Sequence, residues 1–234
     1  MLDASAREIA RSLREDEIVL DVGGWASPMP RADWVMDLMP YETRGLYGEA
    51  ADPEAERFGP ETWIERDICA REPFPFDDGE IDFAVCSHTL EDIRDPLWVC
   101  SELIRVAKAG YIEVPSRLEE QSIGVQGPWA GWSHHRWLIE IEANHIEFAF
   151  KSHAINARES FRLPRGFART LTPRERVQTL FWTGGFEFSE RIFLGPTEHD
   201  QYLEDFVSEA LRTRAFPREA RVSRLGRLRS RLPR

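Results

Sequence analysis

Short apolar runs separated by turn-forming or helical stretches dominate the first half of the chain. A run of about four to eight apolar residues bounded by Gly, Pro or Asp is typical of a strand that is buried in a sheet. Five such runs predict strands at residues 18–22, 32–37, 62–65, 81–86 and 111–114. Because crossover segments separate the runs, we expect an α/β fold with a doubly wound, mostly parallel sheet.

Two segments have the spacing of helices. Within residues 4–15, apolar side chains recur on one face of a helix. A second helix is predicted to begin at Asp95-Pro96, because Asp caps helix starts and Pro fits the first helical position. Gly110 is predicted to end this helix.

The second half of the chain contains two pairs of short apolar runs, each pair flanking a turn. Such a pattern predicts a β-hairpin. The hairpins are predicted at residues 137–142 and 146–150 around Ala143-Asn144, and at residues 177–182 and 186–193 around Gly184-Gly185. The pattern leaves open which hairpin completes the main sheet.

Glycines and acids follow the first two predicted strands. Asp21 precedes the pair Gly23-Gly24, and the second strand ends at Asp37. Glycine lets a backbone approach a ligand closely, and an acid after the next strand can bind the two hydroxyls of a ribose. Only about ten residues, with two prolines, follow Gly24 before the second strand, so the first crossover is predicted to be a turn.

Five motifs in order resemble those of the class I S-adenosylmethionine-dependent methyltransferases, over about residues 15–115. They are Asp21-Val-Gly23-Gly24-Trp25-Ala-Ser27, the ribose acid Asp37, the adenine acid Asp67 with Ile68, residues 74–91 and residues 102–110. The last two are similar to the LPF-D-x-x-FD-x-V…S-x-x-LEH and E-x-x-R-V-L-K-P-G-G motifs of the family's small-molecule branch. Trp25 and Ser27 depart from the family, which has glycines at these places.

The resemblance implies a Rossmann-like fold and S-adenosylmethionine (SAM) as the methyl donor. It also implies which residues contact this cofactor: Asp21, Gly23, Gly24, Trp25, Asp37, Asp67, Ile68, Ser87 and His88. A nicotinamide dinucleotide enzyme is the nearest alternative on the same fold. The sequence argues against it, because Trp25 and Pro28 stand where its phosphate-binding motif requires glycines.

Residues 116–160 follow the fifth strand and are expected to form a lid over the ligand cleft, within a domain of residues 1–211. Imidazole titrates near neutral pH, so His134 or His135 is the candidate base for an acceptor hydroxyl, with His134 preferred. The alternative is that one histidine caps the hairpin and the other is exposed. Three tryptophans are candidates for a flat wall against a sugar: Trp129, Trp132 and Trp137.

Acidic residues near this segment raise the question of a metal. Glu113, Glu119 and Glu120, together with the histidines, could hold a divalent ion that polarises the acceptor hydroxyl. No ligand spacing requires such an ion, so the metal stays an open alternative.

Charge is distributed unevenly along the chain. The net charge is −11, and residues 212–234 contain nine arginines and one acid, so residues 1–211 carry −19. An acidic body repels polyanions, which argues against a nucleic-acid partner. The basic tail is interpreted as a helix that rests on this body or on a partner subunit of a homodimer. A membrane-surface or nucleic-acid element is the alternative.

The remaining composition bears on location. Three cysteines without CxxC spacing predict reduced thiols, and no apolar run is long enough for a membrane span. The start of the sequence does not have the pattern of a secretory signal. Arginine greatly exceeds lysine, as GC-rich codon usage produces. We therefore expect a cytoplasmic, bacterial protein.

Together these patterns predict a SAM-dependent O-methyltransferase that acts on a small molecule. A saccharide or glycosylated metabolite is the preferred acceptor, because of the tryptophans and the histidine pair. Polyketide, phenol and amine acceptors are alternatives. A methyltransferase-like scaffold that binds without turnover is a further alternative, which Trp25 in the glycine motif supports.

Overall fold

The computed structural model describes residues 1–45 and 54–214. Four helices are α1 (Asp3–Ser12), α2 (Pro96–Val106), α3 (Arg117–Glu120) and α4 (Pro196–Thr213). The strands are β1 (Val19–Val22), β2 (Trp34–Asp37), β3 (Trp63–Glu65), β4 (Ile81–Ser87), β5 (Ala107–Pro115), β6 (Trp137–Glu142), β7 (His145–Phe150), β8 (Val177–Thr183) and β9 (Glu187–Arg191). The basic tail, apart from residues 212–214, lies outside the described residues.

The five predicted strands form the parallel part of a six-stranded sheet. Its order is β3-β2-β1-β4-β5-β8, and only β8 at the edge runs antiparallel. This sheet confirms the predicted α/β fold. Because β1 lies between β2 and β4, the carboxyl ends of these three strands share one edge, where α/β sheets bind their ligands.

The sheet is buried on both faces, as continuous apolar runs require. Successive residues of β1 alternate between the faces: Val19 packs in one cluster with Ile9 of α1, and Leu20 in another with Leu103 of α2. The second cluster also contains Phe148 of the predicted hairpin, which is 0% exposed. The hairpin is therefore part of the hydrophobic core.

Gly110 does not end a helix, contrary to the sequence prediction. Helix α2 ends at Val106, and Gly110 lies inside β5 between Ala84 of β4 and Trp182 of β8. A Cβ at this position would lie 2.5 Å from the Ala84 carbonyl oxygen and 2.7 Å from the Trp182 ring. The glycine thus admits a tryptophan over the strand, a role that its local sequence does not show.

The second predicted hairpin is also wrong in its pairing, although both strands exist. Strand β8 pairs with β5 in the main sheet, and β9 pairs in parallel with β7. The first hairpin is confirmed, with β6 and β7 antiparallel around Ala143-Asn144. Strands β6, β7 and β9 form a second sheet, and β8 is the strand that extends the first.

Two further observations bear on the sequence predictions of location. All three cysteines are buried and free. Among the helices of residues 1–45 and 54–214, none combines the length and apolar content needed to cross a bilayer.

Replacing Gly110 by Ala tests the close packing at β5. We expect Gly110→Ala to lower the free energy of unfolding by about 1–3 kcal/mol, because the added methyl overlaps backbone and a buried ring. Gly195→Ala is the control, since a Cβ at Gly195 meets nothing within 4 Å. Equal urea midpoints for the two variants would contradict the prediction.

Candidate active site

The loop after β1 is built around Asp21. Asp21 is 3% exposed and accepts a hydrogen bond from the Met29 backbone N–H at 2.8 Å. A Cβ at Gly24 would lie 2.5 Å from the Asp21 carboxylate, so this glycine makes room for the acid. Burial raises the pKa of Asp21 to about 7, against the lowering effect of the Met29 hydrogen bond.

Gly23 lies between this loop and the loop after β4. It has φ +80°, and a Cβ there would lie 2.2 Å from Thr89 Oγ1. Its N–H donates to the Met36 carbonyl of β2 at 2.8 Å. The glycine therefore allows the protein's own Thr89 side chain to approach the backbone closely.

Asp37 lies at the end of β2, where the ribose acid is predicted. One carboxylate oxygen accepts the Trp25 N–H at 3.0 Å and the other accepts the Met39 N–H at 2.9 Å. Each oxygen keeps a lone pair for a further donor, such as a ribose hydroxyl. Burial raises the pKa of Asp37 in spite of these N–H groups.

The Trp25 side chain is bonded to Thr43. The indole N–H donates to the Thr43 carbonyl at 2.8 Å, and the ring packs against the cluster that contains Ile9. Its backbone N–H donates to the predicted ribose acid, Asp37.

The predicted adenine site lies beyond β3. Asp67 is 38% exposed and forms an ion pair with Arg94 at 2.6 Å, which lowers the pKa of Asp67. Ile68 beside it is buried. Leu38, which sequence reasoning missed, is 65% exposed directly after Asp37. An exposed apolar side chain next to Asp37 in the chain offers a face for a planar ring.

Ser87 and His88 end β4. Ser87 Oγ is buried and, within the described part of the chain, has no hydrogen-bond partner. His88 has φ +55°, and its ring lies 3.1 Å from Glu113 Oε1 and 3.3 Å from Glu91 Oε1. Burial lowers the pKa of His88, but the two carboxylates outweigh it and raise it to about 9.

The predicted lid is fastened to the loop after β4. The Arg136 N–H donates to the Glu91 carbonyl at 2.7 Å, and the Trp137 indole donates to the Ile93 carbonyl at 2.9 Å. These two bonds hold the segment that carries the histidine pair beside the carboxyl end of β4.

His134 and His135 meet Asp92 in this place. Asp92 Oδ1 lies 3.8 Å from His134 Nε2 and 3.7 Å from His135 Nε2. The His135 side chain is 8% exposed and that of His134 is 55% exposed. Sequence reasoning missed Asp92, although it stands where the family motif has the His of LEH.

A carboxylate orients one of the two rings. His135 Nδ1 lies 2.8 Å from Glu120 Oε1, and the other oxygen of Glu120 accepts from Lys151. Gly131 has φ +58°, and a Cβ there would lie 2.6 Å from Glu120, so the loop can pass close to this carboxylate only with glycine. No local pattern indicates Lys151, which lies 31 positions from Glu120.

The three acids considered for a metal do not come together. Glu113 accepts from Tyr111, His88 and the Leu2 N–H, and these bonds outweigh burial and lower its pKa to about 2. Glu119 pairs with Arg176 at 2.7 Å. Of the three, only Glu120 contacts a histidine of the pair. That set of ligands is therefore wrong.

The three tryptophans divide into two kinds. Trp129 is 52% exposed and Trp132 is 36% exposed, and the Trp132 ring stacks on His135 with centroids 6.0 Å apart. Trp137 is 8% exposed and packs against Phe148 in the core. A wall for an acceptor is thus available from Trp129 and Trp132.

Comparison with known proteins gives partial matches to solved structures. No protein-family model and no curated protein matches the sequence. Solved structures do match: the YcgJ protein from Bacillus subtilis has 17% identity and a TM-score of 0.38, covering 49% of this chain and 52% of its own. A SAM-dependent methyltransferase from Aquifex aeolicus has 18% identity and a TM-score of 0.37, covering 53% and 68%.

A third match is the N-terminal domain of EvdMO1, determined in the presence of SAH and D-fucose. It has 13% identity and a TM-score of 0.37, covering 60% of this chain and 59% of its own. The chain's own sheet, parallel except for its edge strand β8, is that of an α/β fold. The chain spans about half the length of the YcgJ protein. At these identities and TM-scores the matches do not indicate a function, which has to be argued from the residues above.

The pKa of Asp21 predicts how stability depends on pH. Because the folded value of about 7 exceeds the ordinary 3.8, the folded protein holds this proton longer than the unfolded chain does. The stabilising contribution is complete below about pH 4 and is lost as pH rises through about 7. The side chain introduced by Asp21→Asn cannot ionise. The Tm of this variant minus that of the unmodified protein is therefore expected to be larger at about pH 8 than at about pH 4.5.

The expected gain is at least about 1 kcal/mol, or about 2–4 °C. Thermal unfolding followed by circular dichroism at the two pH values measures it. Asp16→Asn is the control, because the Asp16 side chain is 81% exposed. If the Tm difference between Asp21→Asn and the unmodified protein did not change with pH, the pKa of Asp21 would be the same in the folded and unfolded protein, and the prediction would be wrong.

Proposed function

We propose that the protein is a SAM-dependent methyltransferase that transfers the methyl group to a hydroxyl of a small molecule. The observation that carries the proposal is the arrangement at the sheet edge. Asp37 ends β2 and is followed by the exposed Leu38, and Asp67 follows the neighbouring strand β3. Ser87 Oγ, which has no partner among the described residues, lies at the end of β4. The histidine pair is fastened beside that end by the loop after β4.

The cofactor fits these residues in charge and shape. Asp37 would accept the ribose hydroxyls, Leu38 would lie against the adenine, and Asp67 would accept from its amino group. Ser87 Oγ is a buried polar atom that has no partner among the described residues. The methionyl group of SAM would supply that partner. SAM supplies an electrophilic methyl group on a positively charged sulfur.

Methyl transfer then needs an acceptor oxygen in line with that methyl group. The oxygen forms a bond to the methyl carbon, the carbon–sulfur bond breaks, and its electron pair stays on sulfur. The hydroxyl proton must leave, and we assign His135 Nε2 as the base that accepts it when no metal ion is bound. Glu120 at 2.8 Å holds the other ring nitrogen, which orients this one. His134, preferred from sequence, lies beside it with a centroid distance of 4.6 Å.

A saccharide or glycosylated metabolite is the acceptor we propose. Trp129 and Trp132 expose aromatic faces on the loop next to the histidines, and such faces suit the CH surface of a sugar. The non-catalytic scaffold has less support, because the Trp25 indole is bonded to Thr43 and packs against the core.

Cofactor binding is tested by calorimetry with S-adenosylhomocysteine (SAH). We expect Asp37→Asn to weaken binding about 10–100-fold, because a charge-assisted hydrogen bond to a ribose hydroxyl contributes about 1.5–3 kcal/mol. Asp205→Asn on α4 is the control and should bind as the unmodified protein does. Failure of the unmodified protein to bind SAH would overturn the proposed function.

Turnover is tested with labelled SAM and a panel of sugars, phenols and amines. The double variant His134→Ala/His135→Ala is expected to lose about 10²–10⁴-fold in kcat, since it removes the group that takes the proton. Its affinity for SAH should stay unchanged. Turnover within about tenfold of the unmodified protein would exclude the histidines as the base.

A further inference from the structure

We infer that Asp92, His134 and His135 form a binding site for one divalent transition-metal ion. Each contributes one ligand atom, and the three atoms lie within 4.8 Å of one another. Two imidazole nitrogens and one carboxylate oxygen suit ions such as Zn²⁺, Co²⁺ or Fe²⁺ better than Mg²⁺ or Ca²⁺, which prefer oxygen ligands.

The distances are close to those of a bound ion. Asp92 Oδ1 lies 3.8 Å from His134 Nε2 and 3.7 Å from His135 Nε2. An ion at about 2.0–2.2 Å from each ligand sets neighbouring ligand atoms about 3.0–3.5 Å apart. Small side-chain rotations that shorten the two separations from Asp92 Oδ1 by a few tenths of an ångström bring them into this range.

The carboxylate oxygen that would bind the ion lacks another partner. Asp92 Oδ1 is buried and makes no hydrogen bond to the residues that the structure describes. A buried carboxylate oxygen without a donor is costly, and the two ring nitrogens that face it are too far away to donate. An ion between the three groups removes this cost.

The surroundings orient His135 as metal-binding histidines are oriented. Its Nδ1 lies 2.8 Å from Glu120 Oε1, which leaves Nε2 for a metal. Lys151 holds the other oxygen of Glu120, and Trp132 stacks on the imidazole. The ligand ring thus has fixed neighbours on its edge and on one face.

His88 provides a contrast within the same protein. It also has two carboxylates within 3.3 Å, but Glu113 accepts from Tyr111 and from the Leu2 N–H as well. Those donors satisfy Glu113 without an ion. Among the residues of the described ranges, none donates to the Asp92 oxygen that faces the histidines.

The consequence for catalysis rests on the proposed function, whereas ion binding itself does not. In the loaded protein, the acceptor hydroxyl would occupy an open position on the ion, which lowers the pKa of the hydroxyl. Its proton would pass to solvent water, since both rings are then ligands. The oxygen would attack the methyl carbon, and the carbon–sulfur bond would break towards sulfur as before.

The test is a titration of the tag-free, chelator-treated full chain with Co²⁺, followed by visible absorption, and with Zn²⁺, followed by calorimetry. We expect one ion per chain. Asp92→Asn and His135→Ala should each weaken binding at least about 10–100-fold, and Glu120→Gln should weaken it less. His153→Ala, at an exposed histidine outside the cluster, should bind as the unmodified protein does.

Circular dichroism of each variant verifies that it is folded, and Asp92→Asn keeps the volume of the side chain. Equal affinity in the unmodified protein and Asp92→Asn, or no saturable binding, overturns the site. SAH binding in the same samples separates the two proposals. Ion binding with no SAH binding leaves the metal site standing and rejects the proposed function, and the reverse result rejects the metal site alone.

Discussion

The contact between Gly23 and Thr89 determines how the loops at the ligand edge meet. Gly23 follows β1, bonds to Met36 of β2 through its N–H, and lies directly under the Thr89 side chain that follows β4. Its φ is +80°, and a Cβ added there would lie only 2.2 Å from Thr89 Oγ1, so the position requires glycine. The ends of β1, β2 and β4 are thereby brought together, and with them the acids that follow each strand.

The acids at this edge of the sheet differ in how many hydrogen-bond donors surround them. Burial raises the pKa of Asp21, Asp37 and Glu91, because too few donors compensate for their lost hydration. Glu113 differs, since several donors lower its pKa to about 2. The satisfied acid keeps its charge, whereas a positive charge beside the other three would lower their pKa values and favour the ionised form. A sulfonium cofactor carries such a charge.

The sequence predicted the elements whose pattern is local and failed where a distant partner decides. The apolar runs gave all five parallel strands, because a strand buried on both faces must be apolar throughout. Gly110 was misjudged as a helix end, since the tryptophan that requires it is Trp182, 72 positions away. The pairing of β8 and β9 was wrong for the same reason. Strand β8 pairs with β5 and β9 pairs with β7, and each partner lies far away in the chain.

The insert after β5, residues 116–160, contains a rigid part and an exposed part. Its hairpin is core, with Phe148 fully buried and Trp137 bonded to Ile93, so His135 projects from a rigid base. Trp129 and Trp132 lie instead on the exposed loop before that base. Rigid placement suits the atoms that handle a proton or an ion, because errors of an ångström are costly there. Under the proposed function, the rigid base would position the reacting atoms, and the two exposed rings of the loop would contact the acceptor.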